Sequence, residues 1–149
     1  MFEQIDQLIA SSDRLKVILR RQVPSELIED AQRELGLGLP ETYKAWLQSY
    51  GNLFIGDSQV FTLAAVEDRE IADGDLIYNA RLVSENGFPP PGLLPLYEPG
   101  TDEAFYFDTR EGLVAGEYPV VRFDHSDGSF QPYASSFVQF LTALVRAHA

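Results

Sequence analysis

Two histidines, several neighbouring carboxylates and one Gly-x-Gly are the groups in this chain whose types and spacing allow chemistry. His125 lies in FDHSDG between Asp124 and Asp127, a donor set suited to an oxygen-liganding metal ion. The spacing misses the EF-hand loop, however, and no bidentate glutamate follows it. A polar turn between strands is expected there instead, with no metal. His125 and His148 are too far apart in sequence to form a local metal pair. A serine hydrolase would need His125 beside an activated serine, and the chain has no Gly-x-Ser-x-Gly elbow. Asp102 with Glu103, and Asp108 with Glu111, offer acid–base inventory, but among 23 Asp and Glu residues no single pair stands out. No catalytic residue and no cofactor are expected.

The Gly-x-Gly is Gly36 and Gly38 in LGLGLPETYKAWLQSYGN, residues 35–52. A phosphate cradle needs its glycines after a strand, opening a helix, with a third glycine or a Gly-Lys-Ser/Thr ending. Here they follow a helical pattern, and Glu41 occupies the next first turn, where it would repel phosphate. The glycines read as punctuation between two helices.

The elements that would position these groups follow from periodicity. Phe2, Ile5, Leu8 and Ile9 recur at helical spacing, with Leu15, Ile18 and Leu19 continuing the stripe; Arg14, Lys16, Arg20 and Arg21 form a small basic cluster on a solvated face. In PSELIEDAQRELG, Ser25 is the expected N-cap, acidic residues favour the helix start, and Gly36 fits the left-handed residue that ends it. Pro40 suits the first turn of the next helix, whose Tyr43, Trp46, Leu47 and Tyr50 share one face and point to a core, with Gly51 as its stop. Residues 53–55 and 60–63 read as strands around a Gly56-Asp57-Ser58 turn. Residues 66–84 are ambiguous, the stretch from Asp75 to Val83 being the more helical half. Five prolines and three glycines in residues 86–100 indicate an ordered loop or sheet-edge connection. Residues 104–108 and 119–123 read as strands, and Tyr133 as the end of a third. Ser136 and Gln139 have capping-box spacing before the stripe Phe137, Phe140, Leu141, Leu144 and Val145.

Composition bounds the rest. The 149 residues suit one domain, and 45% hydrophobic content with 10 Phe and 7 Tyr supports a folded core despite a net charge of −12. The absence of cysteine removes disulfides, thiol nucleophiles and thiolate metal sites. Charges interrupt the apolar positions of the N-terminal segment, so neither a signal peptide nor a membrane span is expected, and the expected location is cytoplasmic. Residues 51–128 hold 15 Asp and Glu against 4 Lys and Arg. Such a surface repels phosphate backbones and attracts basic proteins, although solubility alone also explains it.

Helices at both ends with strands clustered between them predict an α+β fold. Three ordered blocks sharpen this: ELGLGLPETYKAWLQSYGN, GLLPLYEPGTDEAFYFDT and YPVVRFDHSDGSFQPYASSFVQFLTALV. In this order they resemble the SUKH superfamily, the Smi/Knr-like domain of bacterial immunity proteins and fungal cell-wall assembly regulators. Leu39, Pro40, Tyr43, Leu47 and Gly51 take the matching places of its first block, with Trp46 on the same face, and Phe137 opens its last helix. Leu53 departs from the pattern, standing where family members often carry another glycine.

The resemblance covers roughly residues 24–146 and implies a central antiparallel sheet flanked by N-terminal helices and a C-terminal helix, with no catalytic centre. The expected organisation is a single Smi/Knr-like domain over residues 1–149, residues 1–23 being an N-terminal helical extension. It also implies an immunity protein that neutralises a cognate toxin, often a nuclease, whose basic surface would complement this chain. Contact residues chosen from charge and loop position are Asp57, Glu98, Asp102, Glu103, Asp108 and Asp124. Two other readings stay open: a regulatory scaffold with a different protein partner, and a small-molecule binder or enzyme using Trp46 and Tyr50 or the His125 turn.

Overall fold

The structure, a computed structural model, describes residues 1–17, 22–71 and 73–149. Ile18, Leu19, Arg20 and Arg21 of the expected N-terminal stripe and basic cluster lie outside the described residues. Helix α1 (Glu3–Ser11) buries Ile5, and strand β1 (Leu15–Lys16) follows it, so residues 1–23 are not purely helical.

Helix α2 (Ser25–Leu35) buries Ile28 and Ala31, and ends at Gly36 with φ 71°, its N–H donating to the Gln32 carbonyl at 2.9 Å. Only glycine takes that left-handed turn without a Cβ penalty. Its N-cap is Pro24, not the expected Ser25. Extended Pro24 lends its carbonyl to the N–H groups of Leu27 (3.1 Å) and Ile28 (3.2 Å), while the Ser25 hydroxyl accepts from Gln48 Nε2 at 3.1 Å. The same shift occurs in α3 (Glu41–Ser49): Pro40 is the cap residue rather than the first helical one, because its ψ of 146° is extended.

Proline has no side-chain acceptor, so the first N–H groups of α3 need one from elsewhere. Glu117 supplies it. Its carboxylate accepts from the Thr42 N–H (2.9 Å) and the Thr42 hydroxyl (2.7 Å), and also from the Phe137 N–H (3.2 Å) at the start of α5 (Phe137–His148). The Thr42 hydroxyl in turn accepts from the Val138 N–H at 3.1 Å. A two-residue turn delivers Glu117: Val114 and Glu117 exchange backbone hydrogen bonds of 2.9 and 3.1 Å around Ala115 (φ 51°) and Gly116 (φ 78°). Those paired positive φ angles are those of a type I′ turn. In α5, the Ser136 hydroxyl caps the Gln139 N–H as expected, but Gln139 Oε1 reaches back to Ser135 rather than Ser136.

As expected for this α+β fold, the strands among the described residues pair antiparallel, in a larger sheet and a smaller one beside it. The small one joins β1, β2 (Phe54–Ile55) and β3 (Ser58–Gln59). The expected strand over 60–63 is reduced to single bridges, Val60 to Tyr97 and Thr62 to Asp75. After a 3-10 turn (Val66–Ile71) and helix α4 (Leu76–Asn86), the larger sheet is built in sequence order from β4 (Leu93–Tyr97), β5 (Glu103–Asp108), β6 (Val120–Asp124) and β7 (Ser129–Ala134). The proline-rich stretch thus contains β4, and Pro95 is tolerated because β4 is an edge strand. The Val60 bridge and the Phe61 N–H bond to the Leu96 carbonyl (2.9 Å) cover that edge.

One core joins both sheets to the helices. Tyr43 stacks on Trp46 at 5.7 Å and meets Phe107 and Phe137 edge-on at 5.4 and 5.0 Å, while Phe105 packs on Phe140 at 5.3 Å. Leu39, Tyr43, Trp46, Leu47 and Phe137 are fully buried.

Replacing the shared cap tests its weight. Glu117→Ala is expected to lower unfolding free energy by about 2–3 kcal/mol in urea titration, since charged acceptors at two helix starts are lost together. Glu117→Gln, which keeps one acceptor oxygen, is expected to cost about 1 kcal/mol. Burial also raises the tyrosine pKa values: Tyr43 goes well above its ordinary value, Tyr97, Tyr118 and Tyr133 go up, and Tyr106 is pushed up to about 12. The folded chain therefore holds phenolic protons that the unfolded chain releases near pH 10, so stability falls as pH rises beyond that point. Thermal melts between pH 9 and about 12 should show this loss, and Tyr106→Phe should flatten part of it.

Candidate functional site

The six carboxylates expected to meet a partner do not form one cluster. Four lie at one end of the larger sheet, and a fifth, Asp57, lies on the hairpin of the small sheet beside it. Glu103 and Asp124 are direct cross-strand neighbours in β5 and β6, and the Asp102 carbonyl accepts the His125 N–H at 2.7 Å. Glu98 follows Tyr97, which pairs with Phe105, placing it at the same end. Asp57 is at the exposed tip of the β2–β3 hairpin, and the antiparallel bridge from Val60 to Tyr97 runs that hairpin toward Glu98. Asp108 is the exception: it ends β5 at the far side, about 17 Å away along an extended strand.

Their electrostatic states differ. Arg122 donates from Nε to Glu103 at 2.5 Å and lies 3.8 Å from Asp124, so this cation is shared between two of the acids. Asp124 also accepts from the Ser126 N–H and hydroxyl at 2.9 and 2.6 Å, and these bonds hold its pKa below the ordinary carboxylate range. Asp108 is held low by Arg110, which grips it through Nε and a terminal nitrogen at 2.9 and 2.8 Å. Glu98 goes the other way: burial of its carboxyl raises the pKa, and the nearby His125 only partly offsets this. Asp57, Glu98 and Asp102 make no side-chain hydrogen bond or ion pair among the described residues.

FDHSDG folds as two successive Asx turns. Asp124 binds Ser126 as above, and Asp127 accepts from the Ser129 N–H and hydroxyl at 2.9 and 2.6 Å. His125 is exposed, its ring set edge-on to Phe123 at 4.7 Å. Among the described residues, no group of three His, Cys, Asp or Glu side chains is placed to hold a metal ion. Nor is any helix among them long and apolar enough to cross a membrane.

A cavity of about 550 Å³ lies elsewhere, lined by Val23, Leu27, Phe54, Leu63, Gly74 and Asp75 among others. Trp46, Tyr50, Asp108 and His125 do not line it, so the groups proposed for a small-molecule site are not joined by it. Its one fully buried acid, Asp75, is engaged: it accepts from the Ala64 and Tyr78 N–H groups, both at 2.8 Å, and lies 3.3 Å from Arg69 Nε. Arg69 continues to Glu34 at 2.8 Å, and Glu34 also pairs with Arg81. Asp75 is thus the N-cap of α4 and the anchor of a buried ion pair. The helical stretch expected from Asp75 onward begins with its cap, an aspartate immediately before the apolar Leu76-Ile77 pair being a helix-start signal.

The comparisons with known proteins address the fold. Residues 1–146 match the model of a SUKH family described as SMI1-KNR4 cell-wall. The chain belongs to that family. The match begins at residue 1, so it takes in the segment before residue 24 that the sequence resemblance left out. A crystal structure of an uncharacterized protein from Salmonella enterica subsp. enterica serovar typhimurium str. 14028s superposes with a TM-score of 0.52. At 16% identity, over 99% of this chain and 78% of that one, this likeness concerns the fold. No curated protein gives a significant match.

Removing the Asp75 carboxylate should leave Arg69 buried with only its Glu34 partner and open the start of α4. Asp75→Ala is expected to lower stability by about 3 kcal/mol in urea unfolding. Asp75→Ser, which restores a helix cap without the charge, should recover about 1 kcal/mol of that.

Proposed function

We propose that this SMI1-KNR4 family chain is a non-enzymatic protein-binding domain that acts as an immunity protein, neutralising a basic toxin in the cytoplasm. The observation that carries the reading is the gathering of Glu98, Asp102, Glu103 and Asp124 at one end of the larger sheet, with Asp57 on the hairpin bridged to β4; among the described residues Asp57, Glu98 and Asp102 have no side-chain partner. A cationic partner finds there a concentration of charge that speeds encounter and fixes orientation. A nuclease fits best, because a surface that binds phosphate backbones is basic and an acidic protein can occlude it. Family membership supports a non-enzymatic immunity or regulatory role.

A second reading, a regulatory scaffold for another protein, draws on the family's cell-wall description. The two separate on one experiment. Co-expression with the toxin encoded beside this gene should restore growth, and the pair should co-elute on gel filtration with an affinity that weakens as salt rises. Unrestored growth with no complex would reject the immunity reading.

A further inference from the structure

The larger sheet has two faces, and α5 packs against one of them. Phe105, Phe107 and Val120 face the main core, with Phe140 of α5 against Phe105. The opposite face carries Ala104, Tyr106 and Phe123, with Leu93 and Val121 beside them, as a second apolar cluster to which no helix residue belongs among the described residues. Phe88, just beyond α4, lays its ring against Phe123 at 5.0 Å and Phe130 at 6.2 Å, and Phe130 contacts Phe123 at 4.7 Å. The cluster beneath is buried, Tyr106 being 2% and Phe123 7% exposed, whereas the rings over it stay open, Phe88 at 43% and Phe130 at 37%. Neighbouring exposed aromatics on a chain this polar mark an interaction surface more often than a packing defect.

The charge around the face selects its occupant. Glu98, which makes no ion pair among the described residues, follows Tyr97 at the end of β4, beside the pairing with Phe105, and so stands at the margin of this face. Asp102 and Asp124 lie at the same end, and the whole chain carries −12. A second copy would bring the same carboxylates against these and be repelled, as would nucleic acid or an anionic lipid surface. A guanidinium satisfies both halves of the surface, because it stacks flat on aromatic rings and pairs with a carboxylate at its edge. A lysine ammonium is more strongly hydrated and lacks the flat face.

We propose that the open Phe88–Phe130 rim of this face docks an arginine-bearing segment of a basic protein partner, with Phe88 and Phe130 as the stacking platform and Glu98 as the counter-charge. This rests on the protein-binding reading above and specifies where that partner sits.

The probe is a short capped peptide of alternating glycine and arginine, titrated into the full 15N-labelled chain, with the lysine peptide of the same length as comparison. Amide shifts should concentrate at residues 88, 98, 104–106, 121–125 and 130, with the arginine peptide binding more tightly. The double variant Phe88→Ser, Phe130→Ser should weaken arginine-peptide binding about tenfold, in line with loss of desolvated cation–π contacts. Glu98→Gln should weaken it a few-fold. Unchanged core amide positions confirm that these surface variants fold. Shifts centred on another surface, no binding, equal binding of both peptides, or full binding by the double variant would overturn the proposal.

The toxin assay separates the two ideas. If wild type and the double variant neutralise the toxin equally, the immunity reading stands and this face falls. If the peptide maps to this face while growth is not restored, the face stands and the toxin reading falls.

Discussion

The arrangement of this molecule depends on one carboxylate. Glu117 sits where α3 and α5 begin and accepts N–H groups from both, with the Thr42 hydroxyl passing a further bond on to Val138. Each helix start carries unsatisfied donors and partial positive charge, so an anion between them satisfies the donors and complements both dipoles. Because Pro40 cannot cap α3 with a side chain, the helix relies on a residue 75 positions away in sequence for its Thr42 bonds. The node fixes the two helices relative to each other before any apolar contact is considered.

That registration brings the aromatic residues together. Tyr43 and Trp46 project from α3 toward Phe137 of α5 and Phe107 of β5, and the four rings form one connected group. The Tyr43 hydroxyl is buried among them and donates to the Phe61 carbonyl at 2.7 Å, which ties the group to the chain leaving the small sheet. Trp46 Nε1 is buried with no partner among the described residues. An unmade hydrogen bond of that kind costs about 1–3 kcal/mol, and burial of the large indole surface offsets it. The core therefore tolerates one polar defect because shape and area dominate there.

Helices with a strong stripe and local punctuation were legible in the sequence. α5 has both a cap and five apolar residues in register, and Gly36 marks the end of α2 because only that backbone geometry demands glycine. What could not be read locally was anything whose partner lies far along the chain. Glu117 is one acid among many until the fold places it against Thr42 and Phe137. β1 is two residues long and exists through its pairing with β2, so no periodicity announces it. β4 was hidden by its prolines, whose cost disappears at a sheet edge. The caps Pro24 and Pro40 each lie one residue from the position that local signals favour for the helix boundary, since a proline there is compatible with either position until its ψ is known.

The acidic surface was legible as a total and not as a map, for a related reason. Net charge says that a basic partner is favoured, but each carboxylate has its own local competition. Glu117 and Asp75 are consumed by helix starts, Asp124 by its own turn and by Arg122, and Asp108 by Arg110. Of the six acids expected to meet a partner, Asp57, Glu98 and Asp102 are left without such bonds among the described residues, and their charge remains available to another molecule. The fold concentrates internal polar bonding at helix starts and tight turns, while one face of the larger sheet takes α5. On the opposite face Phe88 and Phe130 leave aromatic surface open above a buried cluster, with uncommitted acids at its margin. Recognition by this chain is therefore set less by how many acids it has than by which ones the fold has not already used.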